Sequence, residues 1–390
     1  MPSGYATQAV QSVLNSTQAF CKFLKANDTG ATGGNQCGIL ISRSAGEMLF
    51  SENLNEHHIL KRNVEILWQN EIVTPSCFTY YDSKKELRIT RFGRGFPFLN
   101  PDQTGALFVF TRQAEDHYSG FFLETDDDIE HFLGAFGISP TETNRLIDTR
   151  QVNAESREAM AIQEFIAGLT VDFPLSDQMS AAARSICDKV YRQAHYVRTN
   201  PDKKIIDWTN TEYSLFRAIE HARYGETISQ GFTSVEDFVS MANMVLNRRK
   251  SRAGKSLEHH LAAIFDGNGI QYDAQAVTEG RKKPDFLFPS KLAYHDSSFP
   301  SDKLITLAAK TTCKDRWRQI LNEADRLRNK PKFLCTLQQG ISPAQMDEMQ
   351  SENVVLVVPR PYIDTYPEDR KDRIWTLAKF VGYIKEVEGI

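Results

Sequence analysis

The sequence predicts a mixed fold in two parts, an N-terminal β-rich part and a C-terminal α/β part whose mixed sheet is flanked by helices. Its 390 residues, of which 41% are hydrophobic, exceed one ordinary hydrophobic core, so two domains are expected. Helical and strand-like segments alternate in the C-terminal part. In the N-terminal part, glycine-rich turns separate short strand-like runs at residues 38–42, 87–90 and 106–111. We place the domains at 1–168 and 181–390, with a linker at 169–180.

Charge and cysteine content exclude several classes of protein. The 46 Lys and Arg residues against 50 Asp and Glu give a net charge of −4, so any DNA affinity must come from local basic patches. The six cysteines are scattered without a CxxC pair, which suits a reducing cytoplasm and argues against structural zinc. Because the sequence shows neither a signal peptide nor a long apolar run, we expect a cytoplasmic protein without membrane spans.

Capping signals and apolar periodicity give the order of elements in the C-terminal part. Residues 179–246 have helical patterns and end in a helix over 237–246, which a capping box at 233–236 opens. Further helices are predicted over 256–265, over 314–327 and from Ser342-Pro343, and strands over 286–288, 304–309, 332–337 and 354–358. This order resembles the core of the PD-(D/E)XK nucleases.

Acidic and basic side chains are predicted to meet at the ends of two strands. Asp285 directly precedes the predicted strand over 286–288, whose start Pro284 marks, and Lys310 lies at the end of the next predicted strand. Glu323 lies on the following helix, whose polar face can return it to these strand ends. Phosphodiester cleavage needs carboxylates to hold a hard divalent cation and a lysine to position the attacking water. The set predicts a nuclease site in which Asp285 and Glu323 hold Mg²⁺.

One position departs from the common form of this motif. An acid usually stands two residues before the lysine, where this sequence has Ala308. A subset of the superfamily moves that carboxylate to the next helix, and Glu323 is placed for this role. The alternative interpretation is that Asp285 and Glu323 are ordinary surface acids and Lys310 is a strand-end charge.

Several segments resemble the EcoRII-type (type IIE) restriction endonucleases. They are residues 26–34 (ANDTGATGG), 88–95 (RITRFGRG), 100–107 (NPDQTGAL), 247–258 (NRRKSRAGKSLE), 278–289 (TEGRKKPDFLFP) and 310–324 (KTTCKDRWRQILNEA). The resemblance implies an N-terminal B3-like β-pseudobarrel that binds effector DNA and a C-terminal PD-(D/E)XK domain. It further implies a homodimer, formed through the C-terminal domain, that cuts double-stranded DNA at CCWGG-like sites and leaves 5′ overhangs.

The resemblance also implies regulation and partners. The N-terminal domain would bind a second copy of the target as an allosteric effector and would block the nuclease until that copy is bound. A cognate DNA methyltransferase would be the functional partner. Residues 28–34 lack the Gly-Lys-Ser/Thr ending of a phosphate loop, so ATP is not expected.

Further site residues are predicted beside the nuclease motif. Glu258 is either a third active-site acid or a solvent-exposed helix acid, and Tyr294 aligns with a tyrosine near the site in the family. The basic run is either a solvated loop or a phosphate-binding patch, and its position before the nuclease helix favours the patch. This run consists of Arg248, Arg249, Lys250, Arg252 and Lys255.

Two groups are candidates for reading the DNA sequence. By resemblance, Lys314, Asp315 and Arg316 would read G·C pairs, since a cation matches guanine and a carboxylate matches cytosine N4. Asp315 can also serve the dipole of a helix N-terminus. The resemblance places the remaining candidates on the two arms of the N-terminal domain. These are Asn35 and Gln36 on one arm, and Lys84, Lys85, Arg88, Arg91 and Arg94 on the other.

Other functions fit parts of this pattern. Arg88, Thr90 and Arg94 alternate, and they would also suit the solvated face of an edge strand. One rival function is a nuclease of the same fold with a different target. The other is a DNA-binding regulator that uses the B3-like part and carries an inactive nuclease core.

Overall fold

A large sheet with an aromatic core forms the N-terminal part of the computed structural model, which describes residues 4–32, 38–52, 54, 58–147, 157–280 and 282–390. Its strands are β1 (Gln18–Phe23), β2 (Ile39–Ile41), β3 (Ile59–Trp68), β4 (Val73–Tyr81), β5 (Glu86–Thr90), β6 (Leu107–Ala114), β7 (His117–Leu123) and β8 (Arg145–Leu146). They follow the order β2-β5-β4-β3-β7-β6-β1-β8, and β3 and β7 run parallel. Buried Trp68, Phe78, Phe108 and Phe122 lie in its core, as the alternation of apolar residues requires.

In the described part of the chain, α1 (Gly4–Leu14), α2 (Gly46–Leu49) and α3 (Asp126–Phe136) accompany this sheet. The hydroxyl of Thr125 caps α3 by accepting the N–H of Asp128, and three aspartates occupy its first turn. Acidic residues stabilise this end because they oppose the positive pole of the helix dipole. Gly137 ends the helix in the left-handed conformation, with φ of 61°.

A helical layer follows: α4 (Arg157–Ala167), α5 (Ser176–Tyr191), α6 (Tyr196–Thr199), α7 (Pro201–Gln230) and α8 (Val235–Gly267). Ser234 caps α8 by accepting the N–H of Asp237, close to the predicted start. The segments 237–246 and 256–265 are helical, as predicted, but their separation is wrong, because α8 runs without a break through the basic run between them. Arg, Lys and Ala are strong helix formers, so this run continues the helix.

The C-terminal sheet is mixed, as predicted. It consists of β9 (Asp273–Ala274), β10 (Phe286–Phe288), β11 (Ile305–Lys310), β12 (Lys332–Thr336) and β13 (Val354–Val357), in the order β13-β12-β11-β10-β9. Strands β11, β12 and β13 are parallel, whereas β10 is antiparallel to both β9 and β11. The remaining helices are α9 (Lys291–His295), α10 (Pro343–Ser351), α11 (Arg360–Ile363) and α12 (Leu377–Glu388).

The amphipathic helix predicted over 314–327 is wrong. The segment instead forms two 3₁₀ turns, Arg316–Asn322 and Asp325–Leu327, which extended Ala324 separates. Tertiary contacts take the backbone groups that an α-helix would use. The Thr278 hydroxyl donates to the Glu323 carbonyl at 2.6 Å, and a Glu279 carboxylate oxygen accepts the N–H of Asp325 at 3.0 Å.

Among the described residues, no helix is both long and apolar enough to cross a membrane. The cysteines within the described ranges are free thiols, and all of them are buried.

Candidate active site

Asp285 and Lys310 meet at one end of the C-terminal sheet. Antiparallel pairing of Phe286 with Leu307 brings the start of β10 beside the end of β11. Asp285 Oδ2 accepts the backbone N–H of Ala309 at 2.7 Å and lies 3.2 Å from Lys310 Nζ. The carboxylate is buried and the ammonium is partly exposed. The structure therefore brings together the acid and the cation that the strand ends predict.

Glu323 lies in the electrostatic field of this pair. It is half-buried at the end of the first 3₁₀ turn. Burial, together with the negative charge of Asp285, raises the pKa of Glu323 to about 7, although Lys310 opposes the shift. Ala308, where the common motif has an acid, is buried in the hydrophobic core. Glu323 thus supplies a second carboxylate near Asp285 from another element.

Glu258 is linked to Asp285 by a residue that sequence reasoning missed. The side-chain amide of Gln275 donates to Asp285 Oδ1 at 2.8 Å and to Glu258 Oε2 at 3.0 Å. Lys255 Nζ lies 3.1 Å from the same Glu258 oxygen. No sequence signal marks Gln275, because its place depends on how β9 pairs with β10.

The donor set fits a hard cation held mainly by water and substrate. Among the described residues, no group of three or more His, Cys, Asp or Glu side chains is arranged to hold a metal ion. Mg²⁺ does not need such a cage, because it keeps several waters and takes one or two carboxylates. Asp285 raises the pKa of Glu323 through like-charge repulsion. A divalent cation would relieve that repulsion, so these two acids suit Mg²⁺.

Tyr294 organises the loop after β10. It is buried, and its hydroxyl donates to Glu279 and accepts the backbone N–H of Arg326 at 3.2 Å. Burial, with the neighbouring Glu279 carboxylate, raises the pKa of this phenol well above its usual value. The Arg326 guanidinium donates to the carbonyls of Asp296 and Phe299 at 2.8 and 2.6 Å. These contacts support the loop between β10 and β11.

The side chains of the basic run lie on α8 and have different surroundings. Arg248 lies 4.0 Å from the Phe173 ring centroid, and Arg249 Nε lies 2.8 Å from Glu220 Oε1. Buried Arg252 lies 3.3 Å from Glu212, which is fully buried. Lys250 is exposed. The structure places Arg252 in the interior and Lys250 at the surface.

The predicted readout segment contacts helix α3 of the N-terminal part. The Asp126 carboxylate accepts the backbone N–H groups of Lys314, Asp315 and Arg316 at 2.9, 2.8 and 3.0 Å. The Arg316 guanidinium pairs with Asp127 at 2.5 Å and with Glu130 at 2.6 Å. Sequence analysis did not predict α3, although the cap at Thr125 and the three aspartates of its first turn are signals of a helix start. Nothing in the local pattern indicates the partners of these aspartates.

The pKa values of Lys314 and Asp315 are shifted at this contact. Burial lowers the pKa of Lys314 to about 8, although Glu124 and Asp126 oppose the shift. Burial, together with the neighbouring Asp126 carboxyl, raises the pKa of Asp315 to about 6. Both side chains are therefore less charged here than in water.

The two parts of the chain also meet at a pair of glycines. A Cβ atom on Gly105, whose φ is +85°, would lie 2.1 Å from the carbonyl oxygen of Gly340. The Gln338 amide donates to the Gly105 carbonyl at 2.8 Å, and Gln339 donates to the Pro140 carbonyl at 2.9 Å. Arg249 donates to the Gly134 carbonyl near the end of α3 at 2.9 Å.

The predicted arm residues are placed unevenly. Asn35 and Gln36 lie outside the described residues. Lys84, Lys85 and Arg94 are exposed, and Lys85 pairs with Asp82. Arg88 in β5 pairs with Glu86 at 2.8 Å. Arg91, with φ of 64°, donates to Asn63 at 3.2 Å.

Sequence comparison matches both parts of the chain. The profile described as "EcoRII C terminal" matches residues 216–381, and "Restriction endonuclease EcoRII, N-terminal" matches residues 13–144. The chain is 36% identical over 382 residues to "Type II restriction enzyme EcoRII" from Escherichia coli, covering 93% of each chain. It is 24% identical over 203 residues to "Type II restriction enzyme SsoII" from Shigella sonnei, covering 45% of this chain and 66% of that one.

Solved structures give weaker matches. Metal-depleted Ecl18kI in complex with uncleaved, modified DNA matches with a TM-score of 0.46 and 20% identity, over 61% of this chain and 85% of that one. The PspGI–substrate DNA complex matches with a TM-score of 0.44 and 16% identity, over 56% of this chain and 94% of that one.

Proposed function

The chain belongs to the EcoRII family of type II restriction endonucleases and is a site-specific deoxyribonuclease, and we propose that it makes Mg²⁺-dependent double-strand cuts at CCWGG-like sites, leaving 5′ overhangs. One observation carries the catalytic part of this proposal. The Asp285 carboxylate is buried between the Ala309 N–H and the Lys310 ammonium, and the charge of Asp285 acts on Glu323. Carboxylates of this kind beside a lysine suit phosphodiester hydrolysis.

The proposed mechanism assigns a role to each charged group. When bound, Mg²⁺ neutralises the phosphate and lowers the pKa of a water molecule. Asp285 and Glu323 would hold it. The Ala309 N–H fixes the orientation of Asp285, and Asp285 in turn orients Lys310, which would position the attacking water in line with the scissile bond. Glu258 would act as a third acid from α8, and Tyr294 would support the loop.

Sequence readout is assigned to the segment after β11. Arg316 and Lys314 would address guanine acceptors, and Asp315 would accept from cytosine N4. These side chains lie only a few residues beyond Lys310, so readout and cleavage would be coupled. Phosphate contacts would come from the basic run, of which Lys250 and Lys255 are exposed.

The N-terminal part would act as an autoinhibitory effector domain with a B3-like pseudobarrel. Support comes from α3, whose Asp127 and Glu130 pair with Arg316 while Asp126 holds the backbone beside it. DNA cannot use these groups until α3 moves away. A second copy of the target would bind the arms through Lys84, Lys85, Arg88, Arg91, Arg94, Asn35 and Gln36. That binding would favour the state in which α3 has left the segment.

A second copy of the chain is the proposed partner of the α7–α8 end. The end of α7 and the first half of α8 expose apolar side chains that would be buried in a homodimer formed through the C-terminal domain. They are Ile228, Val235, Phe238, Val239, Met244 and Leu246. Two such subunits would cut the two DNA strands.

The cellular setting follows from the proposed activity and the bacterial relative. The enzyme would act in the cytoplasm without ATP. A cognate DNA methyltransferase would protect host copies of the target.

Plasmids with zero, one or two CCWGG sites test this proposal. In the presence of Mg²⁺, the wild type should cut the two-site plasmid fastest, and Lys310→Ala should lose activity by about 10²–10⁴-fold. Lys303→Ala, an exposed lysine just before β11, is the matched control and should cut like the wild type. Cutting at unrelated sequences would reject the target, whereas undiminished cutting by Lys310→Ala would reject the catalytic assignment.

A further inference from the structure

A neutral side chain lies between two acids of the candidate active site. Gln275 Nε2 donates to Asp285 Oδ1 at 2.8 Å and to Glu258 Oε2 at 3.0 Å. A primary amide has two hydrogens, so each carboxylate receives one. Asp285 Oδ2 is already bound to the Ala309 N–H and Lys310 Nζ. The Gln275 amide therefore holds the other oxygen of the central carboxylate.

The backbone fixes this arrangement. Gln275 follows β9 in the left-handed region, with φ of 52°, which is uncommon for a side chain of this length. Its N–H donates to the Asp285 carbonyl at 3.1 Å, next to the pairing of Ala274 with Phe286. Gln275 and Asp285 are thus joined through both main chain and side chain. Such strain at a site that the fold constrains is typical of functional positions.

Resting on the nuclease function proposed above, we propose that Gln275 is a positioning residue whose amide, at Asp285 and the third acid Glu258, occupies part of the place of the divalent cation that Asp285 and Glu323 would hold. Its amide binds the oxygens that a cation shared by these acids would need. The cation must therefore displace two hydrogen bonds, each made to a charged acceptor. Gln275 keeps the acids together before the cation arrives and opposes its binding while DNA is absent.

A purely structural brace predicts the opposite effect on cation affinity. If Gln275 only held the acids in place, its loss would let the like charges separate, and a cation would bind more weakly. If Gln275 competes with the cation, its loss removes the competitor and the cation binds more tightly. The sign of the change in affinity distinguishes the two roles.

Mn²⁺ binding to the full chain, without DNA, measures that sign by electron paramagnetic resonance. We expect Gln275→Ala and Gln275→Met to bind Mn²⁺ about tenfold more tightly than the wild type, because two hydrogen bonds to carboxylates are lost. The methionine variant keeps the side-chain length and removes the donors. Gln350→Ala, an exposed glutamine on α10, is the control and should bind Mn²⁺ like the wild type.

Unchanged or weaker Mn²⁺ binding by Gln275→Ala would overturn the inference. Tightening by the alanine variant alone would also overturn it, because space rather than hydrogen bonding would then be responsible. Thermal melting of the metal-free proteins checks folding, and the variants should gain more stability from Mn²⁺ than the wild type does. Wild-type cleavage of the two-site plasmid tests the nuclease function separately, so either proposal can fail while the other stands.

Discussion

Asp126 and Asp315 exchange hydrogen bonds in both directions although they lie 189 positions apart. The Asp126 N–H donates to Asp315 Oδ1 at 3.1 Å, and the Asp315 N–H donates to Asp126 Oδ2 at 2.8 Å. The first turn of α3 is thereby joined to the segment that follows strand β11. Movement of α3 would change the surroundings of the predicted readout side chains directly.

Asp126→Asn should release this contact. Asp126 Oδ2 accepts the N–H groups of Asp315 and Arg316, and an amide NH₂ at that position would meet two donors. Hydrogen bonds to a charged group contribute about 1.5–3 kcal/mol each, and about 1.4 kcal/mol changes an equilibrium tenfold. We expect cleavage of a one-site plasmid to rise at least about tenfold while two-site cleavage changes little.

Asp302→Asn is the matched control, because it makes the same exchange at an exposed position before β11. Its one-site cleavage should equal that of the wild type. If Asp126→Asn leaves the one-site rate at the wild-type value, the contact between α3 and the readout segment does not restrain the enzyme.

The same contact should make autoinhibition depend on pH. Burial and Asp126 raise the pKa of Asp315 from 3.8 to about 6. Because the pKa of Asp315 is higher in the closed contact than in water, protonation of Asp315 stabilises that contact. This stabilisation is fully present below the ordinary pKa of 3.8 and is lost as pH rises through about 6. The ratio of one-site rates, Asp126→Asn over wild type, should therefore increase as pH falls from about 7 to about 5, by less than about tenfold per pH unit. Taking the ratio cancels the pH dependence of the chemical step, and a flat ratio would contradict the prediction.

Local pattern predicted that Asp285 and Lys310, the central pair of the candidate active site, would meet. Apolar runs located β10 and β11, and antiparallel neighbours necessarily place the start of one strand beside the end of the other. Asp285 and Lys310 therefore followed from strand ends alone. Capping signals likewise located the starts of α8 and α10, at Ser234 and Ser342.

The features that local sequence pattern did not predict depend mainly on contacts between segments that are distant in the chain. The segment after Lys310 has helical periodicity, yet Thr278 and Glu279 bind backbone groups that a helix would use. Gln275 gained its place from strand pairing, and a lone glutamine carries no signal. The predicted helices stopped on either side of the basic run, which was interpreted as a solvated loop or a phosphate-binding patch, although its residues favour helix and α8 continues through it.

Arg252 and Lys250 should differ although both belong to the basic run. Arg252 is buried against Glu212, so Arg252→Ala leaves a buried carboxylate with one cation fewer and should destabilise the protein by about 3 kcal/mol. Lys250 is exposed, and Lys250→Ala should change stability by less than about 0.5 kcal/mol. Denaturant unfolding measures both.

For DNA affinity, we expect Lys250→Ala to have the larger direct effect, although it has the smaller effect on stability. If Lys250 contacts a phosphate, Lys250→Ala should lower the slope of log affinity against log salt by about 0.9. Affinity titrations over a range of salt concentrations measure that slope. An unchanged slope for Lys250→Ala would remove it from the phosphate-binding patch, and wild-type stability of Arg252→Ala would contradict a structural role for the Glu212 pair.

Gly105→Ala should separate the two parts of the chain at their glycine contact. The new Cβ would lie 2.1 Å from the Gly340 carbonyl oxygen, so one backbone must shift. Overpacking of this kind costs about 1–3 kcal/mol, which corresponds to roughly a tenfold change in the closed state. We expect one-site cleavage to rise by about that factor.

Gly269→Ala separates this clash from backbone strain. Gly269 has φ of +71° and an open Cβ direction, whereas Gly105 has φ of +85° and meets Gly340. Both substitutions carry the left-handed penalty of about 1–2 kcal/mol, so both should lower the melting temperature. Because only the Gly105 variant disturbs the contact between the two parts, it alone should gain one-site activity. Equal gains in both variants would assign the effect to general destabilisation and leave the glycine contact without a regulatory role.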